Sequence, residues 1–324
     1  MIKILSIDGG GIRGIIPALV LAEIEKRAGR PIARLFDLIA GTSTGGILAL
    51  GLSIPKTPQS RLYVASQLLD MYERDGARIF SRGLRHKIAA CGNLRRAKYP
   101  ATGIEQVLLE YFGNSRLSDA ATDVLITSYE IERSFPFFFR SAIARERSDY
   151  DFPAREVARA TSAAPTYFEP MKLLTGTFTD HYTLVDGGVY ANNPAACALV
   201  EARTTQPNAT DFLVVSLGTG ELTGCLPYEQ AKNWGAVGWA RSVLDVVFDG
   251  VSRTVDYQLR QLLPGTSAQC KRYYRFQTTL DGHNHRLDNA NPENITALKA
   301  LALNLIERES ANLDEVCQKL TEKD

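Results

Sequence analysis

In KILSIDGGGIRGIIPALVLAEIEKR (residues 3–27), an apolar run of strand length meets a glycine cluster and then an apolar run of helical length. Residues 2–7 read as a strand. The helix that follows carries Pro17 in its first turn, gathers basic residues at its end and stops at Gly29. Glycines at such a junction let backbone N–H groups approach a ligand closely, so the loop suits a negative group held at a helix N-terminus. Gly9, Gly11 and Gly14 also spell G-x-G-x-x-G. Two ligands therefore compete: a dinucleotide pyrophosphate and the oxyanion of an ester under attack.

The same rhythm recurs downstream. LFDLIAG is a short apolar run, GTSTGG (residues 41–46) a tight turn, and ILALGL an apolar run of helical length. Strand, loop, helix, strand, turn, helix predicts an α/β protein with a mostly parallel central sheet and helices on both faces. TDVLITSYEI and SFPFFFRS read as consecutive strands, the aromatic run Phe135 to Phe139 being a buried strand rather than a lipid-contacting patch. FPAREVARATSAAPTYF is a helix ending before Pro165, TLVDGG a strand that delivers Asp186 to a glycine pair, and Asn193-Pro194 a helix start. From Gly235 to Leu263, apolar positions recur at helical spacing and predict one long helix, whose apolar face packs on the core or lines an acyl groove. No internal repeat or linker divides the chain. A single unit over residues 1–324 is expected, with a surface excursion at about 60–98 and C-terminal helices at about 226–324.

The totals narrow the function class. Apolar residues make up 45% and charged residues 23%, as in ordinary globular proteins, and a net charge of +1 argues against whole-protein attraction to a nucleic-acid polymer. The five cysteines are scattered and form no C-x-x-C pair, so free thiols are expected and no metal site. No stretch approaches the ~18 apolar residues of a membrane span, and the opening lacks a secretory signal pattern. A cytoplasmic location is the expectation. The segment after residue 80 carries Arg82, Arg85, Lys87, Arg95, Arg96 and Lys98 with no acidic residue, a pattern for a solvated loop or for peripheral contact with an anionic membrane surface.

GTSTGG holds G-x-S-x-G with Ser43 at its centre. Small residues at Gly41 and Gly45 permit the strained strand-to-helix turn that exposes a nucleophile, and the helix end behind it favours developing negative charge. A serine needs a base. The four histidines, His86, His181, His283 and His285, sit on no strong strand end, whereas Asp186 closes a strand and opens Gly-Gly. A dinucleotide site is disfavoured by Asp8 beside the would-be pyrophosphate and by Asp37, the only candidate ribose acid, in mid-strand. Arg13 either adds positive charge to the loop or braces it by pairing with Asp8.

DGGGIRG, GTSTGG, ATSAAPTYFEP (160–170), DGGVYANNPA (186–195) and VVSLGTG (214–220) together resemble the patatin-like phospholipases, a lipid acyl hydrolase family. The resemblance implies a three-layer α/β/α fold, a Ser43–Asp186 dyad acting through an acyl-enzyme, and an oxyanion hole from Gly9, Gly10, Gly11 and Arg13. It implies a phospholipid or other acyl-lipid substrate, no cofactor and no catalytic metal. Some bacterial members that resemble this chain act in antiphage defence under a cyclic nucleotide activator, and the sequence carries no recognisable nucleotide site. An α/β-hydrolase triad recruiting His283 or His285 stays open, as does the dinucleotide-binding module. Because carboxylates titrate below histidine, activity persisting to about pH 5 is the expected mark of the dyad.

Overall fold

The computed structural model describes residues 1–57, 60–83, 96–176, 180–222, 226–265, 271–280 and 284–322. Its centre is an eight-stranded sheet. β1 (Ile2–Ile7) lies between β2 (Leu38–Thr42) and β7 (Phe212–Leu217), parallel to both, with Ile4 opposite Leu38 on one side and Val214 on the other. β3 (Asp123–Glu130) and β9 (Tyr273–Phe276) extend this parallel core beyond β2 and β7. The far edge is antiparallel: β4 (Phe135–Arg140) and β6 (His181–Asp186) pair with β3, and β5 (Met171–Leu174) pairs with β6. Glu221–Leu222 (β8) and Thr279–Leu280 (β10) form a separate short ladder.

Alternation along the strands builds two cores. Leu5, Ile7, Ile39, Ile126, Val215 and Phe276 bury into one face, while Ile4, Leu38, Ala40, Leu125, Val214 and Tyr273 bury into the other. The first face is covered by α1 (Ile15–Ala28), α2 (Thr44–Ser53), α3 (Ala65–Ile79), α4 (Thr102–Phe112) and α5 (Ala154–Thr161). α6 (Ala195–Thr205) covers the second with Ala195, Ala198, Leu199 and Ala202, joined by Leu259 from α7 (Ala236–Leu262). α8 (Pro292–Arg308) and α9 (Ser310–Thr321) pack on α1. α1 ends as its sequence predicts, with Gly29 left-handed at φ 65° and its N–H on the Glu25 carbonyl.

Three expectations need correction. Asp37 precedes β2 rather than sitting within it, and its carboxylate accepts the Lys3 N–H. Residues 60–98 are not simply a surface excursion, because α3 buries Leu68, Met71, Tyr72 and Ile79, although residues 84–95 lie outside the described residues. Residues 226–324 are not all helical, since this segment supplies strand β9. Within it, Arg275 reaches the end of β1 and grips Asp8 through two hydrogen bonds of 2.9 and 2.6 Å, with both side chains buried. Asp8 is thus held by β9, not by Arg13.

β3 sets the registration that matters next. β2 runs parallel to it and ends with Thr42 opposite Thr127; β6 runs the other way and ends with Asp186 opposite Ser128. Consecutive Cα atoms are about 3.8 Å apart, so two strand ends meet at one point.

Removing one partner of a buried bidentate pair strands the other charge. Asp8→Ala is expected to lower unfolding free energy by ~3–5 kcal/mol in urea titrations, and the double variant Asp8→Leu/Arg275→Met to recover much of that loss.

Candidate active site

Ser43 follows the end of β2 with φ 55° and ψ −123°, a backbone conformation that costs an L-residue ~1–3 kcal/mol and persists only where neighbours enforce it. The neighbours are close. A Cβ on Gly41 would lie 2.2 Å from the Gly45 carbonyl oxygen, and one on Gly45 would lie 2.1 Å from that of Ile7. The Ser43 N–H donates to Thr161 Oγ1 at 2.9 Å, and that hydroxyl donates to the Thr127 carbonyl at 2.6 Å. α2 starts at Thr44, which puts the positive end of a helix beside the serine.

Asp186 is 1% exposed and lines the same cavity as Ser43, whose side chain acts on its carboxyl as a neighbouring hydrogen-bonding group. Its Oδ1 accepts the Gly188 N–H at 2.7 Å. A Cβ on Gly187 would sit 2.1 Å from Thr127 Oγ1, so glycine there is what lets the aspartate turn so tightly against β3. Burial is the largest influence on this carboxyl and pushes its pKa up to about 7, with the hydrogen bonds from Ser43 and Gly188 acting in the opposite direction. The expected separation of an aspartate base from a histidine base by pH therefore fails. A carboxyl that titrates near 7 gives an acid limb where a histidine would.

Across from Ser43 lies the first glycine turn. Gly9 donates its N–H to the Asn192 carbonyl at 3.0 Å, Ile12 to Leu287 at 2.8 Å, and Arg13 to Gly10 at 3.2 Å. The amides of Gly10 and Gly11 make no backbone hydrogen bond among the described residues, and both residues line the cavity shared by Ser43 and Asp186. Gly9, expected among the anion-facing donors, has its amide committed to Asn192, which narrows that set to Gly10 and Gly11. Arg13 points its guanidinium elsewhere than the cavity: Nε donates to the Gly10 carbonyl and one terminal nitrogen to the His285 carbonyl. Burial draws its pKa down to about 10, so it remains cationic at neutral pH.

His181 and His285 do not line this cavity. His181 is five residues before Asp186 on an extended strand, about 16 Å away, with its ring 3.5 Å from Glu132. His285 offers its carbonyl to Arg13, while His86 and His283 lie outside the described residues. Among the described residues, no histidine lines the cavity.

The space beside Ser43 comprises about 670 Å³ of non-atom volume, part of it open to solvent. Its walls are apolar: Met71 and Ile79 from α3, Ile104 from α4, Phe168, and Phe248 from α7. Among its described side chains, the long helix contributes this phenylalanine and none of its valines to the wall. On the expected apolar row, Leu259 is core and Val243 is 42% exposed. Of the basic run, Lys98 pairs with Asp288 and lies over the rings of Tyr99 and Tyr167, whereas Arg85, Lys87 and Arg95 fall outside the described residues. Among the described residues, no cluster of His, Cys, Asp and Glu side chains is arranged to hold a metal, and no helix is long and apolar enough to cross a membrane.

Sequence reasoning assigned no part to Thr127, Thr161, Asn192 or Thr219. Each stands beside a glycine turn or inside a quoted motif, and only hydrogen-bond geometry reveals its partner.

Comparison with known proteins adds a second line. The family model described as patatin-like phospholipase matches residues 5–199. Patatin-like protein 2 of Arabidopsis thaliana is 32% identical over 352 residues, covering 98% of this chain and 86% of its own length. Patatin-17 of Solanum cardiophyllum is 31% identical over 334 residues, covering 95% and 84%. Among solved structures, VipD from Legionella pneumophila aligns over 95% of this chain and 67% of its own with 10% identity and a TM-score of 0.38.

Two outcomes follow from the raised carboxyl. Labelling of Ser43 by a fluorophosphonate is expected to fall as pH drops through about 7, with His285→Asn leaving that limb in place. Because the folded-state pKa is raised, the ionised carboxylate costs stability that is absent below about 4 and fully felt above about 7. Asp186→Asn is therefore expected to raise unfolding free energy by a few kcal/mol at pH 8 and by far less at pH 4, measured in urea.

Proposed function

This chain belongs to the patatin-like phospholipase family of lipid acyl hydrolases, and from that premise we propose that it cleaves fatty acyl esters of phospholipids with Ser43 as nucleophile and Asp186 as its base. The observation that carries the reading is that Ser43 and the buried carboxyl of Asp186 line one apolar cavity together.

Asp186 accepts the hydroxyl proton as Ser43 Oγ bonds to the ester carbonyl carbon. The carbonyl oxygen becomes an oxyanion and takes hydrogen bonds from the Gly10 and Gly11 amides. Collapse of this intermediate breaks the bond to the lysolipid or alcohol oxygen, which leaves with the proton from Asp186. Water then gives a proton to the same carboxylate, attacks the acyl-Ser43 ester and releases the fatty acid. A base with a pKa near the operating pH suits both halves of the cycle, since it takes and returns a proton in each. The apolar walls match an acyl chain, which enters with its carbonyl at Ser43 and its tail toward Ile79 and Ile104. Bulk lipid is presented at a surface, so catalysis proceeds from peripheral contact with a membrane.

Ser43→Ala and Asp186→Asn are each expected to abolish fatty acid release from phosphatidylcholine vesicles, read by lipid product analysis, while both retain a cooperative unfolding transition. Full activity in either would overturn the dyad. Ile79→Trp is expected to lower kcat/KM on long-chain esters about tenfold and to spare a butyryl ester; equal loss on both would place the acyl chain elsewhere.

A further inference from the structure

We propose that Thr219, in the turn that follows β7, is a positioning residue that aims the Gly10 N–H into the cavity. The proposal rests on the acyl hydrolase reading for its kinetic consequence and on geometry for everything else.

A peptide unit is planar and trans, so fixing its carbonyl fixes the opposite direction of its N–H. The unit joining Gly9 to Gly10 has its carbonyl oxygen held by the Thr219 hydroxyl at 2.6 Å. The next unit, joining Gly10 to Gly11, has its carbonyl held by the Arg13 N–H and by Arg13 Nε, both at 3.2 Å. Two successive carbonyls are tied to Thr219 and Arg13, neither of which lines the cavity that Gly10, Gly11 and Ser43 share, so the Gly10 and Gly11 amides, opposite those carbonyls, are the groups free to face it. Hydrogen bonding at a carbonyl also polarises the amide and strengthens its N–H as a donor.

Thr219 is itself well fixed. It is 3% exposed, and a Cβ on Gly10 would come within 2.3 Å of its hydroxyl, so hydroxyl and glycine are packed against each other. The turn around it is braced by Gln277, whose side-chain oxygen accepts the Gly220 N–H at 2.8 Å and that of Thr278 at 3.0 Å. A Cβ on Gly10 would also lie 2.5 Å from the Thr219 Cβ, so glycine is required there for room. The hydroxyl is what occupies that room.

The experiment compares wild type, Thr219→Val and Thr219→Ser by steady-state hydrolysis of a soluble butyryl ester and by the amide 15N–1H resonance of Gly10. Loss of a whole oxyanion donor costs on the order of 10²–10³ in rate, so loss of its aim is expected to lower kcat in Thr219→Val about 10- to 100-fold with KM changed less than about twofold. The Gly10 resonance moves in the same variant. Thr219→Ser, which keeps the hydroxyl, retains most of kcat and the wild-type resonance. An unmoved Gly10 resonance in Thr219→Val, wild-type kcat in that variant, or equal impairment of Val and Ser would overturn the proposal. If wild type hydrolyses no ester, the acyl hydrolase reading fails while the Gly10 resonance still decides the positioning.

Discussion

Two strands that approach a third from opposite ends along one path cannot overlap, and the place where they stop fixes what their last residues meet. β2 stops opposite Thr127 and β6 opposite Ser128. Every distance in the candidate site descends from that adjacency. The turn after β2 carries Ser43, and the last residue of β6 is Asp186. Hydroxyl threonines tie the junction: Thr42 bonds to Thr127 at 2.7 Å and to the Ala191 carbonyl at 2.6 Å, and Thr161 links the Ser43 amide to β3. The segment after Asp186 then closes the ring by accepting the Gly9 N–H at Asn192.

Such closeness excludes water, and the same exclusion suits Asp186 to the proposed role of base. An exposed aspartate titrates near 4 and is too weak to take a serine proton at neutral pH. The burial that raises it to about 7 also opposes its ionisation, so basicity and loss of stability have one cause. The strained φ of Ser43 belongs with it as a second local cost, held in place by Gly41 and Gly45 packing against backbone.

The glycine turn illustrates how one composition serves several needs. Gly9 leaves room for Asn192, Gly10 for Thr219, and Gly11 combines a φ of 58° with a Cβ position only 2.2 Å from the Leu287 carbonyl oxygen. Arg13, whose charge invites a place beside the anion, instead holds carbonyls behind the loop. Its role in the geometry is mechanical, and the donors left for the proposed oxyanion are the Gly10 and Gly11 amides, which make no backbone hydrogen bond among the described residues.

The alternation of apolar runs with glycine turns was enough, with no coordinates, to establish the parallel α/β core, the turn around Ser43 and Asp186 at a strand end, because these depend on residues close together along the chain. Candidate members of the site were legible where a motif is local, as in GTSTGG and DGG. What only the tertiary structure decided are relations between distant segments: Arg275 rather than Arg13 on Asp8, α3 as a cavity wall, Thr219 on the Gly9 carbonyl, and a carboxyl shifted to about 7. Pairing, enclosure and desolvation are properties of packed surfaces, and periodicity along the chain carries no record of which surfaces meet.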